Sequence, residues 1–320
     1  MESAYKMELS KSLPLKKERT IVTKQAVNNK NWQLHIMCTV PMFFVLLFNY
    51  VPMAGIIIAF KNYRYNKGIL GSQWIGFDNF EFFFKSNDFA RIVWNTLSLN
   101  FTFIVVGIIS SVLLAVILFE VSSRRAVKAY QTILITPNFI SWVIVSYMAY
   151  AFLNPVSGFL NMIMKESVDW YARPKAWTVI LTICSVWKIA GMDSIVYYAS
   201  LMGIDSSLYE AAEVDGAGKL RQLFSITIPS LIPIITILTI LKIGGIFRAD
   251  FGLFYQVTRD AGTLYSRTDV IDTYIYRTMR VVGDMGVSSA AGLMQSVVGF
   301  ALVIVTNKIA SAIDPERSLF

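Results

Sequence analysis

The sequence predicts an all-α membrane protein with six transmembrane helices, and three observations support this fold class. The 320 residues are 55% hydrophobic and only 16% charged, and their mean hydropathy of +0.54 is too high for soluble domains. Long uncharged stretches, each able to cross the ~30 Å hydrocarbon core, recur along the chain. Basic residues are concentrated in the tails and in the connections between these stretches.

Composition also excludes several classes of function. Cys38 and Cys184 both lie inside apolar runs, so neither a disulfide framework nor a cysteine metal site is expected. His35 is the single histidine, and without a second one no catalytic triad can be drawn. We therefore expect no catalytic residue, no metal ligand and no enzyme activity in this chain. The net charge of +8 is dispersed over tails and loops, which argues against nucleic-acid binding.

The N-terminal half is read as a tail followed by three spans. Residues 1–31 carry seven Lys and Arg against three Glu and predict a solvated basic tail. The first span is predicted at 32–60, where Pro41 and Pro52 should bend it. The second and third spans, at 92–119 and 129–153, contain no charge over 28 and 25 positions.

The C-terminal half completes a six-helix transmembrane domain predicted over 32–313. The fourth, fifth and sixth spans are predicted at 177–201, 223–241 and 285–307, and 314–320 is a short tail. The segment 248–284 is predicted to be an outer loop. Within it, Val270, Ile271, Tyr274 and Ile275 fall on one helical face, which indicates an interfacial helix.

A polar interlude of small residues, 202–225, separates the fourth and fifth spans. Ser207 stands three residues before Glu210, which is the spacing of a capping box, so a short helix should begin near Leu208. Gly216 can adopt the left-handed conformation that ends this helix. Ala211 and the alanine after it give the helix a face without bulk, which suits insertion into a groove on another protein.

The interlude carries a motif of fixed spacing. Glu210-Ala211-Ala212 is followed by Gly216, then by Ile226 and by Ile228-Pro229. This pattern resembles the Glu-Ala-Ala loop of the integral membrane subunits of bacterial ABC importers, with Ile228 in place of leucine as the only departure. The positions that the resemblance assigns to ATPase coupling are Glu210, Ala211, Ala212, Asp215, Gly216, Ala217, Ile226 and Pro229.

Two further stretches resemble the carbohydrate-uptake branch of the same family. These are the residues around the motif, 203–217, and the pattern W-x-G-x-x-N-F at 74–80, for which an aromatic belt at the membrane interface is the alternative interpretation. The nearest resemblance is to the oligosaccharide permeases found beside lipoprotein-dependent polysaccharide uptake. It implies the type I ABC importer permease fold in a bacterial plasma membrane.

The resemblance also implies partners. A second homologous permease, an ATPase dimer and an extracellular solute-binding lipoprotein would act with this chain to import an oligosaccharide across the lipid bilayer. ATP and Mg²⁺ would be bound by the ATPase and not by this chain. Gly216-Ala-Gly-Lys219 has only a superficial likeness to a phosphate-binding loop, because Glu213 and Leu220 occupy positions that the loop needs for glycine and Ser/Thr.

Glu210 has two interpretations at this point. Its carboxylate can cap the backbone of its own helix, or, as the resemblance implies, it can face a basic residue in a groove of the ATPase.

The orientation in the membrane follows from basic residues near the span ends: the tail and the turn containing Arg124, Arg125 and Lys128 favour the cytoplasm. Six spans then place both termini and the Glu-Ala-Ala loop inside the cell.

Two charges within the fourth span leave an alternative function open. Lys188 lies roughly 16 Å along the helix from its start, near mid-membrane, where an unpaired ammonium costs at least ~2.5 kcal/mol. Asp193 is not on the same helical face, so each charge needs a partner elsewhere or a wet cavity. Both can form structural ion pairs or line a solute path. A secondary carrier or channel that uses Lys188 and Asp193 for ion coupling is the competing hypothesis.

Overall fold

The computed structural model describes residues 32–313, and the two predicted tails, 1–31 and 314–320, lie outside the described residues. The chain divides into two compact units, 1–55 and 56–320. In the first unit the described residues are helical, and most of their apolar side chains, such as Phe43 and Phe48, are exposed, which suits contact with lipid.

The described residues are almost entirely helical. The α-helices are α1 Trp32–Val45, α2 Val51–Met53, α3 Gly68–Gly71, α4 Asp78–Lys85, α5 Phe89–Phe119, α6 Arg124–Phe139, α7 Trp142–Leu153, α8 Phe159–Met164, α9 Pro174–Leu201, α10 Ser206–Val214, α11 Lys219–Gln222, α12 Ile228–Gly244, α13 Tyr265–Thr268, α14 Ile271–Arg277 and α15 Met285–Ile313. Single π turns occupy Leu46–Tyr50, Leu223–Thr227, Leu253–Val257 and Thr278–Val282, and 3₁₀ turns occupy Ala54–Phe60, Trp170–Ala172 and Gly262–Leu264. Two strands, β1 Lys61–Asn62 and β2 Gln73–Trp74, pair antiparallel, with Lys61 opposite Trp74.

Five helical stretches are long and apolar enough to cross a membrane. They are His35–Phe60, Phe89–Phe119, Pro174–Leu201, Lys219–Gly244 and Met285–Ile309. A sixth span results if α6 and α7 are counted together. The predicted all-α membrane fold is confirmed, and the chain is a multi-pass membrane protein.

The third span is broken, which the sequence reading did not predict. Instead of one helix over 129–153, the chain forms α6 and α7, bent by 95° at a short break. Ile140 and Ser141 are extended, and the Ser141 hydroxyl accepts a hydrogen bond from the Ile144 N–H, so α7 has its own N-cap. Pro137 in the last turn of α6 removes one backbone donor near the break. The apolar composition is continuous here, so hydropathy alone could not reveal the bend.

Helix α9 is the centre of the bundle, packing along α5 and against α6 and α12. Its Trp177 and Leu181 belong to a buried cluster with Leu253 and Phe254 from the segment after α12. Gly191 permits the close crossing of α6, because a Cβ at this position would stand 1.9 Å from the Leu134 carbonyl oxygen.

The segment between the last two spans packs against the helices of the protein. Val270 and Ile271, two of the residues behind the predicted interfacial helix, are completely buried, and Tyr274 packs on Phe83 with ring centroids 5.4 Å apart. Two polar side chains of α5 hold the segment: Asn95 donates to the Asp269 carbonyl, and the Thr96 hydroxyl accepts from the Ile271 N–H. These contacts over about 175 positions were not visible in the sequence.

Residues of the aromatic pattern at 74–80 pack back onto the chain at the end of the first span. Asn79 is buried and donates to the carbonyls of Ala59 and Lys61 at 2.8 and 3.1 Å. Phe60 stacks on Trp74 with ring centroids 5.6 Å apart. The asparagine therefore has a structural role in this loop, holding it to the end of the preceding helical turn.

Candidate functional site

The interlude between α9 and α12 begins with a well-capped short helix. Asp205 is the N-cap of α10, and its carboxylate accepts from the Ser207 N–H at 2.9 Å. The predicted capping box of Ser207 and Glu210 is therefore wrong. The N-cap is Asp205, two residues before Ser207, and its carboxylate accepts the hydrogen bond from the Ser207 N–H. Hydrogen bonds from Ser207 hold the pKa of the Asp205 carboxyl below its ordinary value. The contribution of this cap is thus present at neutral pH and lost as the pH falls through the lowered pKa.

The end of α10 confirms the left-handed conformation predicted for Gly216, whose φ is +75°. The Ala217 N–H reaches back to the Ala212 carbonyl at 2.8 Å, and the Gly216 N–H reaches the Glu213 carbonyl at 3.0 Å. This pair of hydrogen bonds is the Schellman motif, which satisfies the last carbonyls of a helix. The motif turns the chain sharply towards α11.

Side chains on its inner face attach α10 to the bundle. The Tyr209 hydroxyl hydrogen-bonds the Thr227 hydroxyl at 3.0 Å, and the Tyr209 ring lies 6.0 Å from that of Phe119, the last residue of α5. Buried Gln222 donates to the Ala217 carbonyl at 3.1 Å. We call this end of the molecule, marked by Phe119 and Tyr209, the coupling end. The end at the start of α5 is the opposite end.

The outer face of α10 is uncovered. Leu208 and Val214 of α10 are 51% and 89% exposed, and Leu220 of α11 is 74% exposed, so this segment presents large apolar side chains that no described residue covers. Glu210 and Ala211 lie exposed between them. In the part of the chain that the structure describes, Glu210 forms no ion pair and no side-chain hydrogen bond. Its carboxylate is therefore free to meet a partner.

The remaining motif residues surround this face. Asp215, Gly216 and Pro229 are exposed, whereas Ala212, Ala217 and Ile226 are half-buried. Six of the eight residues of the predicted coupling site lie on α10 or in the turn after it, and Ile226 and Pro229 stand on either side of Thr227, which hydrogen-bonds Tyr209 of α10. Their role in ATPase coupling stays a prediction.

Lys188 is buried in the bend of the third span. Its ammonium donates to the carbonyls of Pro137 and Asn138 at 3.3 and 3.0 Å and also to the carbonyl of Ile140. It also lies 5.1 Å from the ring centre of Trp142. A cation at the C-terminal end of α6 neutralises the carbonyl dipoles there and satisfies acceptors that lipid cannot.

Asp193 forms an ion pair with Lys242 in the last turn of α12. Both side chains are about a quarter exposed, so the pair is partly desolvated and borders open space. The prediction that the two charges of α9 need partners on other helices is consistent with this geometry. Whether either residue acts in transport stays a prediction.

A cavity of about 180 Å³ opens beside this ion pair. Its walls include Asn100 and Phe103 of α5 and Ser185 of α9, and Asp250 lies in the segment after α12. The Asp250 carboxylate accepts from the Trp142 indole N–H at 2.7 Å, and Asn100 donates to two carbonyls that follow α12. Most residues around this cavity are apolar, and the side chains of Asp193, Lys242, Asn100 and Asp250 are polar and charged groups that meet in it.

Sequence reasoning missed Lys242, Asn100 and Asp250 as members of this cavity. Lys242 stands one position beyond the predicted fifth span and was read as part of a connection. The available signal was Asp193, because an acid inside an apolar helix requires a cation on a neighbouring one. No sequence signal relates Asn100 to a segment about 146 positions away.

The fold and site together define a class of protein: a bundle of membrane-spanning helices that carries a short exposed helix between two of its spans, as a permease subunit does. The model of the family described as the binding-protein-dependent transport system inner membrane component matches residues 107–317. The chain belongs to this family, and it is a transporter subunit and not an enzyme.

Relatives and solved structures agree with this membership. Protein LplB of Bacillus subtilis (strain 168) is 32% identical over 316 residues, covering 95% of this chain and 98% of that protein. The polygalacturonan/rhamnogalacturonan transport system permease protein YteP of the same strain is 33% identical, with coverage of 88% and 89%. The sn-glycerol-3-phosphate permease UgpA of Escherichia coli O6:K15:H31 is 29% identical, with coverage of 74% and 79%.

The fold is similar to that of a crystallised bacterial ABC transporter involved in the import of the acidic polysaccharide alginate. The TM-score is 0.80 at 35% identity, covering 89% of this chain and 96% of that one. A second structure of a bacterial alginate ABC transporter, in complex with an alginate pentasaccharide-bound periplasmic protein, gives a TM-score of 0.79. This similarity does not favour the competing hypothesis of a secondary carrier or channel.

Replacing Lys188 should loosen the bend. In Lys188→Met the three carbonyls lose their charged donor, and buried acceptors without partners cost about 1–3 kcal/mol. We expect the purified protein in detergent to melt at a lower temperature, followed by tryptophan fluorescence. Lys175→Met, an exposed lysine in the first turn of the same helix, is the control. Equal melting temperatures for the two variants would contradict the assigned role.

The ion pair can be tested by a double-mutant cycle. Asp193→Asn and Lys242→Met should each destabilise the protein by leaving one charge unpaired, and the double variant should recover part of the loss, with a coupling of about 0.5–3 kcal/mol. We expect uptake by the assembled complex to remain reduced in the double variant, because the cavity has lost its charges. Additive destabilisation in melting experiments would contradict the pairing, and full uptake would leave the pair with a structural role alone.

Proposed function

We propose that this chain is one of two permease subunits of a type I ABC importer that moves an oligosaccharide into a bacterial cell. The observation that carries the proposal is the exposed face of α10, with its small residues, its free Glu210 and its left-handed Gly216. A protein that transported alone would have no use for such a docking helix. YteP and the alginate transporters support a saccharide as the cargo, since their names state polysaccharide transport.

The proposed orientation places the coupling end in the cytoplasm and the opposite end outside. Both termini are then cytoplasmic, in agreement with the basic residues that precede the first span and begin α6. Under this orientation the segment 248–284 lies on the outer side. The cavity beside Asp193 and Lys242 lies between the two ends.

The proposed complex contains four further protein chains, two of which form the ATPase dimer. A second homologous permease completes the membrane domain, an ATPase dimer binds ATP and Mg²⁺, and an extracellular solute-binding lipoprotein delivers the oligosaccharide. The apolar residues Leu208, Val214 and Leu220 would fill a groove of one ATPase subunit, and Glu210 would meet a basic residue at its edge. This chain supplies no nucleotide site of its own in the proposal.

The proposed mechanism uses α10 as a mechanical joint. Closure of the ATPase dimer on ATP would bring the α10 helices of the two permeases together. Tyr209, bonded to Thr227 and packed on Phe119, would transmit this displacement to α5 and to the entry of α12. The bundle would then rock from inward-open to outward-open, and hydrolysis would reset it.

Copurification tests the proposed class. We expect the tagged chain, expressed in its native background, to retain a companion ATPase and a second permease at constant stoichiometry. Uptake into vesicles should require ATP on the side of the membrane that carries the ATPase. Purification of the chain alone, together with uptake driven by an ion gradient without ATP, would establish the secondary carrier instead.

Gly216 provides the sharpest test of the coupling loop. A β-branched residue in the left-handed conformation costs at least ~1 kcal/mol, whereas asparagine tolerates this conformation. No atom lies within 4 Å of a Cβ added at Gly216, so the effect is one of backbone conformation and not of a clash within the chain. We expect Gly216→Val to stay in the membrane but to abolish solute-stimulated ATP hydrolysis by the complex.

The matched control is Gly216→Asn, which should retain most of the stimulation. Glu210→Ala should give an intermediate loss, because it removes the proposed ion pair with the ATPase and leaves the helix intact. ATP hydrolysis that still rises normally in Gly216→Val on addition of loaded binding protein, at intact stoichiometry, would place the coupling surface elsewhere.

A further inference from the structure

A second cavity, of about 260 Å³, lies near the opposite end of the molecule. It is lined by Ser146 and Tyr147 of α7 and by Tyr255, Gln256, Arg259 and Asp260 of the segment after α12. Pockets for drug-sized ligands usually measure about 300–1,000 Å³. This cavity therefore suits a single ring of a larger ligand, not a whole oligosaccharide.

Arg259 is the unbalanced charge of this cavity. Its guanidinium lies 4.2 Å from the ring centre of Tyr150 and forms no ion pair within residues 32–313. The neighbouring carboxylates are already occupied: Asp260 pairs with Arg277 at 3.0 Å, and Asp269 pairs with both Arg277 and Arg91. A positive charge thus remains that the local acids do not neutralise.

The backbone at this position is strained. Arg259 and Asp260 both have left-handed conformations, with φ of 57° and 46°. Such a conformation is unfavourable for a residue with a Cβ, and glycine would relieve the strain at Arg259. A non-glycine residue held in this way is typical of sites where the side chain has a function. The chain thus keeps a guanidinium where the helix end alone would favour glycine.

The other walls have the chemistry of a sugar site. Tyr147 is 67% exposed, and the Tyr255 ring is held by Phe251 and Tyr276, each with its ring centroid 4.9 Å away. Tyrosine rings can pack against the apolar C–H face of a pyranose, while a serine hydroxyl and a glutamine amide can hydrogen-bond its hydroxyl groups. A guanidinium adds bidentate recognition of a carboxylate.

We infer that this cavity binds one carboxylate-bearing sugar residue of the transported oligosaccharide, with Arg259 as the residue that recognises the acid. The inference rests on the proposed function, because it makes this cavity an outer subsite of the same transport path. The ion-pair network from Asp260 through Arg277 and Asp269 to Arg91 ties the cavity to the start of α5, and hence to the side from which the solute would be delivered.

The test measures binding of a defined acidic probe. The assembled complex, this chain with its copurifying permease and ATPase, is placed in lipid nanodiscs without binding protein, and the affinity for trigalacturonic acid is measured by calorimetry. The fully methyl-esterified trimer, which has the same rings without the charge, is the ligand control. The variants are Arg259→Gln and Arg259→Gly, the second of which relaxes the backbone. Arg267→Gln, an exposed arginine of the same segment outside the cavity, is the control variant.

We expect the wild-type complex and Arg267→Gln to bind the acid more tightly than the ester. Both Arg259 variants should bind the acid about tenfold or more weakly, as for the loss of a charged hydrogen-bonding partner, with their affinity for the ester unchanged. Melting of Arg259→Gly at or above the wild-type temperature would show that the weaker binding does not come from misfolding.

Equal affinities of wild type and Arg259→Gln for the acid would overturn the inference. So would a wild-type complex that does not distinguish the acid from its ester. ATP hydrolysis is measured on the same nanodiscs. A complex without ATPase would contradict the proposed function, whereas unchanged probe binding in an active complex contradicts the carboxylate site alone.

Discussion

Backbone carbonyls cannot find hydrogen-bond donors in the hydrocarbon core, and this constraint governs the bend between α6 and α7. A 95° break inside an apolar stretch leaves carbonyls without intrahelical partners, and lipid does not satisfy them. Lys188 does so from the neighbouring helix, so a residue that is costly by itself at this depth becomes the condition for the break. The bend in turn gives Trp142 its position against Asp250.

Two charged residues inside the bundle and two at its ends differ in their partners. Within the bundle, Lys188 is satisfied by carbonyls, and Asp193 by Lys242. At the two ends, Glu210 and Arg259 are exposed and form no ion pair within the described residues. A buried charged side chain needs a partner within the chain, whereas water solvates an exposed one and leaves it able to bind another molecule. Unpaired charges near the span ends are therefore better pointers to binding than those inside the membrane.

Hydropathy predicted the spans because the membrane imposes both length and composition. The small residues of 202–225 predicted a short helix ended by Gly216, because this position requires a left-handed backbone conformation. Those signals are local. The bend at Ile140, the partnership of Asp193 with Lys242 and the burial of α14 were missed because they depend on side chains 48 or more positions away. The cap at Asp205 was missed by two residues, since both Asp205 and Ser207 are good N-caps and only geometry decides between them.

The loop 202–227 joins the two helices that the Asp193–Lys242 pair links. Helix α9 is continuous over 28 residues, or about 42 Å, and it passes from the opposite end directly into the coupling loop, from which α12 returns. Without a cross-link inside the bundle, a displacement of α10 could separate α9 from α12 and be absorbed locally. An ion pair between them, eight residues from the end of α9, favours movement of the two helices as one body. The same pair borders the cavity of about 180 Å³, so the groups that would transmit the movement also line the space that it would open.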